Sequence, residues 1–181
     1  MKIRSKEQLT DFVKQGNSVK YLFFWGHRKG QHSVTKSCLS QWYDSAFELE
    51  GNHFKTAEHY MMYHKALLFK DYSAAKKVLT SNNPGEAKAI GRQVIGFEQQ
   101  QWNARCFDIV VSGNIAKFSQ HKELKTFLIN TGNRIIVEAS PVDRIWGIGL
   151  AKDDPGCENP YLWKGANLLG FALMEARDQL F

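Results

Sequence analysis

A carboxylate and an amine lie two helical turns apart on one face of a predicted helix. Thr56 is of the type that caps helix N-termini, because its hydroxyl accepts a free backbone N–H, and the residues after it predict a helix ending near Phe69. Glu58 and Lys65 lie about 10 Å apart along the axis, on the face that carries Met62. A charge on an apolar face must be paired or must face a cavity. This helix therefore carries either a structural ion pair or the acid/base group and amine of an active site.

A second segment combines two carboxylates, a tryptophan and glycines. The β-rich run over residues 134–139 predicts a strand that contains Glu138, and the loop after it contains Asp143, Trp146 and Gly147. Loops that follow strands often hold catalytic carboxylates, and glycine lets a ligand approach the backbone closely. The structural alternative is that Asp143 caps a turn and Trp146 fills the core.

Aromatic residues and a helix start supply candidate contacts for a flat base and a phosphate. A predicted strand over residues 19–25 ends in Phe24 and Trp25, just before Gly26, and aromatic residues at such an exit suit stacking on a base. Asn167 is placed to cap the last helix, whose N-terminus suits a phosphate. The structural alternatives are aromatic packing in the core and ordinary capping.

The known metal and nucleotide motifs are missing from the sequence. His59 and His64 are five residues apart, which points them to different helix faces, and with His53 and His121 they do not form a zinc motif. There is no GxGxxG, no P-loop and no GxSxG elbow. We therefore expect an active site without a metal ion or another cofactor.

The bulk composition predicts one globular domain over residues 1–181. The chain is 43% hydrophobic and 13% aromatic, which is sufficient for a sizeable core. No secretory pattern and no apolar run of bilayer length occur, so we expect a cytoplasmic protein with no membrane partner. The three widely spaced cysteines suit a reducing compartment better than a disulfide framework.

The net charge of +6 favours anionic partners such as phosphates, nucleotides or nucleic acid. Lysine and arginine are dispersed, however, and no recognition helix or RNA-binding sheet motif occurs. A dedicated nucleic-acid-binding protein is therefore the weaker hypothesis, and a small phosphorylated ligand is the stronger one. No obligate protein partner is indicated.

Periodicity predicts mostly helices and a few short strands, which do not alternate as repeated βαβ units. A hairpin is expected around a turn at Gly51-Asn52, and Gly113 is a point where the longest helix can bend. These patterns predict an α+β, mainly helical fold. The predicted helices cover residues 6–15, 57–69, 71–79, 86–93, 98–120, 122–129 and 167–179.

The chain resembles the NADAR family, also called YbiA-like, from about position 21 to the end. The matching blocks occur in the family's order, and the departure is Ser40-Gln41-Trp42, where many members have S-N-F. The blocks are Phe24-Trp25-Gly26-His27, Ser40-Gln41-Trp42-Tyr43, Ala57-Glu58-His59-Tyr60-Met61 with Lys65-Ala66, Trp102, Lys117-Phe118, Val137-Glu138-Ala139-Ser140 with Asp143 and Trp146-Gly147-Ile148-Gly149, and Trp163-Lys164-Gly165-Ala166-Asn167-Leu168-Leu169-Gly170.

The resemblance implies a compact domain, with its core at about residues 19–181, that hydrolyses the N-glycosidic bond between ribose C1 and a base nitrogen. Family substrates include ribosylamino-pyrimidine phosphates of early riboflavin synthesis, and other members remove ADP-ribose from guanine in nucleotides or nucleic acid. The partners expected here are accordingly a ribose phosphate or an ADP-ribose compound, with ADP-ribosylated nucleic acid as a further candidate. A non-catalytic module that binds ADP-ribose or a related nucleotide is the alternative.

Carried over by position, the resemblance makes Glu58, Lys65 and Asp143 the expected catalytic residues. Glu58 would act as acid/base group and Asp143 would orient water or the ribose hydroxyls. Lys65 would either bind the 5′-phosphate or form a Schiff base with the opened ribose. Arg92 or Lys117 would add a phosphate contact. The predicted substrate-binding residues are Phe24, Trp25, Gly26, Trp42, Trp102, Glu138, Trp146, Gly147 and Asn167.

Overall fold

The chain folds mainly into helices, as the sequence predicts. A computed structural model describes residues 2–181, and within that range it contains seven α-helices and four short strands, with 3₁₀ turns at Lys36–Leu39 and Pro160–Leu162. The elements are α1 (Lys6–Lys14), β1 (Tyr21–Phe24), β2 (Phe47–Leu49), β3 (Asn52–Phe54), α2 (Ala57–Leu68), α3 (Tyr72–Thr80), α4 (Pro84–Arg92), α5 (Gln99–Gln120), α6 (Lys122–Ile129), β4 (Ile135–Glu138) and α7 (Leu168–Leu180).

Strands β1 and β4 form a two-stranded parallel sheet at the core. Tyr21 pairs with Ile135 at one end, and Phe24 pairs with Glu138 at the other. Helix α7 packs on β4, and α5 packs in turn on α7. Because the strands are parallel, the chain leaves both of them at the same end of the sheet. The loops that follow Phe24 and Glu138 therefore start side by side.

Helix α2 lies at the centre of the helical layer and contacts α3, α4 and α5. Thr56 caps it as predicted: its Oγ1 accepts from the backbone N–H of His59 at 3.4 Å. The residues from Ala57 to Met62 are all buried. Because so little of this helix faces solvent, its first turn carries Glu58 into the interior.

The β2–β3 hairpin turns one residue earlier than predicted. The turn residues are Glu50 and Gly51, with φ of 52° and 74°, and Asn52 is already the first residue of β3. Positive φ at both central positions is the requirement of a type I′ turn. The prediction of a Gly51-Asn52 turn was wrong because Glu50 adopts a left-handed conformation that its residue type rarely takes.

Helix α5 runs without interruption through Gly113. A Cβ built at Gly113 would lie 2.5 Å from Cδ1 of Tyr60. Glycine is therefore needed here because α5 passes close to the tyrosine ring of α2, and it does not break the helix.

Replacing Gly113 with alanine should destabilise the fold by about 1–3 kcal/mol, the usual range for overpacking a core. The added methyl group would force the Tyr60 ring or the helix axis to move. Denaturant unfolding would measure the change. The matched control is Ser112→Ala, one position earlier on the exposed side of α5, which should be neutral or slightly stabilising because alanine favours helix. Equal stability of the two variants would contradict the close packing.

No helix of the described residues is long and apolar enough to cross a membrane.

Candidate active site

One cavity brings together the three residues that the sequence assigned to catalysis. It has a volume of about 170 Å³, and Glu58, Lys65 and Asp143 all line it. These side chains come from α2 and from the loop after β4. The other lining residues are Ser40, Gln41, Trp42, Met61, Met62, Lys88, Arg92, Trp102, Glu138, Trp146 and Leu169.

Glu58 is almost fully buried, at 2% exposure. Its backbone N–H donates to the carbonyl of Gln41 at 3.0 Å, which ties the start of α2 to the Trp42 segment. Burial raises the pKa of its carboxyl to about 7, against the lowering effects of Lys88 and of a hydrogen bond with the Trp42 side chain. Its Oε1 has no hydrogen-bond partner within residues 2–181. The group is thus held near the point of half ionisation at neutral pH with one oxygen free for a ligand.

Glu138 brings a second carboxyl group to the cavity from the end of β4. Burial, with a further contribution from Asp143, raises its pKa to about 8, while Lys88 acts in the opposite direction. Its Oε2 is buried and is not hydrogen-bonded to any part of the described chain. The charge of Glu58 is a further, smaller cause that raises the pKa of Glu138, so the two carboxyl groups form a neighbouring pair with raised pKa values. Such a pair holds at least one proton near pH 7.

Asp143 both organises its loop and faces the cavity. Its Oδ1 accepts backbone N–H groups of Ile145 at 2.9 Å, Trp146 at 2.8 Å and Gly147 at 3.4 Å. The capping role considered from the sequence is therefore present. Oδ1 therefore fixes the loop that places Trp146 on the cavity wall, and the Asp143 side chain also lines the cavity.

Lys65 is a half-buried amine among aromatic rings. Its Nζ lies 4.3 Å from the centroid of the Phe97 ring and 5.6 Å from that of Trp102. Burial lowers its pKa, and the nearby Arg92 lowers it further. Neither Lys65 nor Glu58 forms an ion pair within the described chain, so the structural ion pair considered from the sequence is absent.

Helix α4 adds two cations, of which only Arg92 was suggested by the sequence. Lys88 and Arg92 are four residues apart, so they share a face, and both line the cavity. A Cβ at Gly91 would overlap the side chain of Met62 on α2. Small residues on α4 therefore let it approach α2 closely enough for its basic side to reach the cavity. The sequence feature that could have predicted this side of the cavity is the pair of basic residues spaced four apart on α4.

Four of the predicted substrate-binding residues lie in the cavity lining, namely Trp42, Trp102, Glu138 and Trp146. Five others do not. Phe24 is 1% exposed and packs in the core, whereas Trp25 is 62% exposed. Gly26 has φ of 84° and turns the chain away from β1. The other two are Gly147 and Asn167.

Gly147 and Asn167 support the site from behind. A Cβ at Gly147 would lie 2.9 Å from the carbonyl oxygen of Glu138. Asn167 is fully buried; its Oδ1 accepts the N–H of Glu138 at 3.0 Å and its Nδ2 donates to the carbonyl of Ile136 at 2.9 Å. The Asn167 side chain thus does not cap α7, although the sequence predicted that it would. It holds the end of β4 instead and so positions Glu138.

Lys117 is not available to a phosphate. It is completely buried in α5, and its Nζ donates to the backbone carbonyls of Cys38 at 2.6 Å and Ser40 at 2.9 Å. The suggested phosphate contact from Lys117 is therefore wrong, whereas Arg92 lines the cavity.

No three side chains of His, Cys, Asp or Glu in the described part of the chain are grouped in a way that could hold a metal ion.

The raised pKa values predict that the site lowers stability at alkaline pH. When a carboxyl group has a higher pKa in the folded chain than in the unfolded chain, the folded protein loses stability as pH rises from the group's ordinary pKa to its folded pKa. For Glu138 this interval runs from 4.5 to about 8. We expect Glu138→Gln to raise the melting temperature by roughly 2–6 °C near pH 9, where the charge is fully developed, and much less near pH 5.

Calorimetry at both pH values would measure this difference. Glu48 on β2 is exposed and provides the control, since Glu48→Gln should change the melting temperature little at either pH. The same shift for Glu138→Gln at both pH values would mean that burial does not oppose the ionised form.

Comparison with known proteins identifies the family. The family model described as the NADAR domain matches residues 23–181. A protein of Acanthamoeba polyphaga mimivirus that carries the name N-glycosidase is 44% identical over 165 residues, which are 88% of this chain and 96% of that protein. N-glycosidase YbiA of Escherichia coli is 30% identical over 133 residues, 74% of each chain. The NMR structure of the E. coli protein matches with a TM-score of 0.69 at 25% identity, covering 89% of this chain and 84% of that one.

A plant relative carries a different name. Riboflavin biosynthesis protein PYRR, chloroplastic, of Arabidopsis thaliana is 30% identical over 114 residues, which are 61% of this chain but 17% of that longer protein. The solved structure confirms the mainly helical α+β fold, and the family model confirms the resemblance found in the sequence motifs. The chain therefore belongs to the NADAR family and is a hydrolase that acts on N-glycosyl bonds.

Proposed function

We propose that this enzyme hydrolyses the bond between ribose C1 and a base nitrogen in ribosylated nucleotide-like compounds. The candidate substrates are ribosylamino-pyrimidine phosphates of riboflavin synthesis and ADP-ribosyl-guanine. The observation that carries the proposal is the convergence of Glu58, Lys65 and Asp143 in one tryptophan-walled cavity. The name of the plant relative supports the riboflavin arm.

The size of the cavity fits the sugar as the enclosed part of the substrate. Its volume of about 170 Å³ is below the ~300–1,000 Å³ of pockets that enclose a drug-sized ligand. A pentose with its reacting bond lies inside, and the remainder of a nucleotide extends through the mouth. The tryptophans on the walls exclude water from the reacting centre and stack on the base.

The carboxyl groups supply the proton transfers. As the C1–N bond breaks, positive charge develops on C1 and the ring oxygen, and negative charge develops on the leaving nitrogen. Glu58 and Glu138 have raised pKa values of about 7 and about 8, so near neutral pH one of them protonates the leaving base while the other, in its ionised form, accepts a proton. Asp143 stabilises the positive charge and orients the ribose hydroxyls or water. A bell-shaped dependence of kcat/KM on pH, with limbs near 7 and 8, follows from their pKa values in the free enzyme.

The basic residues divide into a nucleophile and a phosphate clamp. Arg92 and Lys88 line the cavity together and provide the positive charge that a phosphate needs. Lys65, whose pKa is lowered, is then free to attack C1 as a neutral amine. The Lys65 nitrogen bonds to C1 as the C1–N bond to the base breaks, and the base leaves with a proton from a carboxyl group. A proton then passes from the Lys65 nitrogen to the ring oxygen, the C1–O bond breaks to give an imine on Lys65, and water hydrolyses that imine to release the sugar and the free amine.

A substrate panel tests this proposal. The purified protein is incubated separately with a ribosylamino-pyrimidine phosphate, ADP-ribosylated guanosine nucleotide, an ADP-ribosylated oligonucleotide and NAD, and released base is identified by mass spectrometry. We expect release from at least one ribosylated base, with a free sugar phosphate or ADP-ribose formed in equal amount. Binding without release from any of them would support the nucleotide-binding module instead.

A further inference from the structure

A fully buried lysine lies directly beneath the segment that forms one side of the cavity. Lys117 is 0% exposed, and within the part of the chain that the structure describes it has no carboxylate partner. Its Nζ lies 5.0 Å from the centroid of Phe118 and 5.6 Å from that of Tyr43. Burying an amine that has no carboxylate partner lowers the stability of the fold, and a leucine or methionine at this position would avoid that cost. Its two hydrogen bonds must therefore serve a purpose that packing does not.

Both bonds go to the backbone at the edge of the cavity, which Ser40 also lines. The acceptors are the carbonyls of Cys38 and Ser40, and Gln41 and Trp42 follow immediately in the lining. Burial lowers the pKa of Lys117 to about 7, and a neutral amine keeps two N–H groups. Two donors for two carbonyls satisfy the backbone without a buried charge.

Asn114, one turn earlier on α5, holds the same segment by its side chain. Its Nδ2 donates to Oε1 of Gln41 at 2.9 Å and to the carbonyl of Val110 at 2.8 Å. The backbone carbonyl of Gln41 in turn accepts a hydrogen bond from the backbone N–H of Glu58 at 3.0 Å. A continuous chain of hydrogen bonds thus runs from α5 through residues 40–42 to the start of α2.

We propose that Lys117 and Asn114 are positioning residues that fix residues 40–42 and thereby hold the Trp42 side chain in place in the cavity that Glu58 also lines. Neither touches the cavity; each acts through the backbone or side chain of this segment. Catalytic groups tolerate little misplacement, and a shift of about 1 Å can lower a rate by roughly 100-fold. The kinetic consequence rests on the proposed function, whereas the position of Trp42 does not.

The test compares Lys117→Met with a matched buried cation. Arg177 on α7 is 7% exposed and donates to Oγ1 of Thr131 at 2.9 Å and to the carbonyl of Arg134 at 3.0 Å, away from the cavity. Lys117→Met should lower kcat by roughly 10- to 100-fold with little change in KM. It should also move the NMR resonance of the Trp42 indole N–H, assigned through Trp42→Phe. Arg177→Met should lower the melting temperature but leave kcat and that resonance unchanged.

Two further variants cover failure to fold and conservative rescue. Lys117→Gln retains two N–H donors and should restore part of the rate. Asn114→Leu keeps the volume and should shift the Trp42 resonance in the same direction as Lys117→Met, so it decides the matter if Lys117→Met is insoluble. The resonance is measured without substrate. An unmoved indole signal overturns the inference even if the parent protein is active, and an inactive parent with a moved signal counts against the proposed function alone.

Discussion

Replacing Glu58 with glutamine is expected to lower the rate of base release by roughly 10²–10⁴-fold, the usual contribution of a general acid or base. Glutamine has nearly the same shape, so the cavity and its tryptophan walls remain. It can neither gain nor lose a proton, however, so the carboxyl group whose pKa of about 7 suits proton transfer at neutral pH is lost. The rate falls because the leaving base must depart without a matched proton transfer.

Ligand binding should survive this change. In the proposed mechanism the cations of α4 and the cavity walls hold the sugar phosphate, and the substitution leaves these residues unchanged. Titration calorimetry with ribose 5-phosphate should therefore give a Kd within a few-fold of the parent value. Glu48→Gln, on the exposed side of β2, is the control and should retain full turnover. Near-normal turnover by Glu58→Gln would remove this residue from the chemistry.

The pH profile gives an independent check on the same residue. The parent profile is expected to have limbs near 7 and 8, which belong to the coupled pair rather than to either group alone. Residual activity of Glu58→Gln should follow a single ionisation, because one member of the pair is gone. A profile that keeps both limbs would assign them to other groups.

Much of the fold follows from local sequence patterns. The predicted Thr56 cap fixes where α2 begins, and Asp71 caps α3 directly before its first residue, in agreement with the predicted range. Helix α4 begins at Pro84, two residues earlier than predicted, because proline suits the first turn of a helix. These signals act within a few residues of chain, so they can be read without knowledge of packing. The hairpin turn was misplaced because Glu50 takes a positive φ that only its context can impose.

The site was only partly predictable, because tertiary contacts place several of its residues. Glu58 and Lys65 share a helix face, so spacing alone places them on one side of α2. Lys88 reaches the cavity only because Gly91 lets α4 approach α2, which is a tertiary contact. Asn167 has the residue type of a helix cap, yet its side chain bonds to β4, 29 residues away in sequence at Glu138. Residues that position others are recognised from the structure, not from their type.

Lys65→Arg is expected to lower turnover by more than roughly 10³-fold although it keeps the positive charge. A guanidinium stays protonated at working pH and cannot form the imine that the proposed mechanism requires. If Lys65 only bound a phosphate, arginine would replace it with a modest change in KM. Steady-state kinetics of Lys65→Arg therefore separate the two roles. Lys77→Arg, on the exposed side of α3, is the control and should behave as the parent.

Chemical trapping tests the same step directly. Borohydride added during turnover should reduce the imine to a stable secondary amine, and peptide mass mapping should find the sugar phosphate or ADP-ribose on Lys65. The Lys65→Arg protein should give no adduct under identical conditions. Absence of an adduct from the actively turning parent, together with activity of Lys65→Arg within tenfold of normal, would leave Lys65 as a phosphate ligand.

The neighbouring cations make the covalent role the expected one. Lys88→Met removes a charge from the phosphate clamp, and we expect it to raise KM with a smaller effect on kcat, because ground state and transition state lose the same contact. Lys65→Met should instead abolish kcat, since it removes the amine that forms the imine in the proposed mechanism. Opposite kinetic signatures from two lysines of one cavity would show that the half-buried amine reacts while the α4 cations bind.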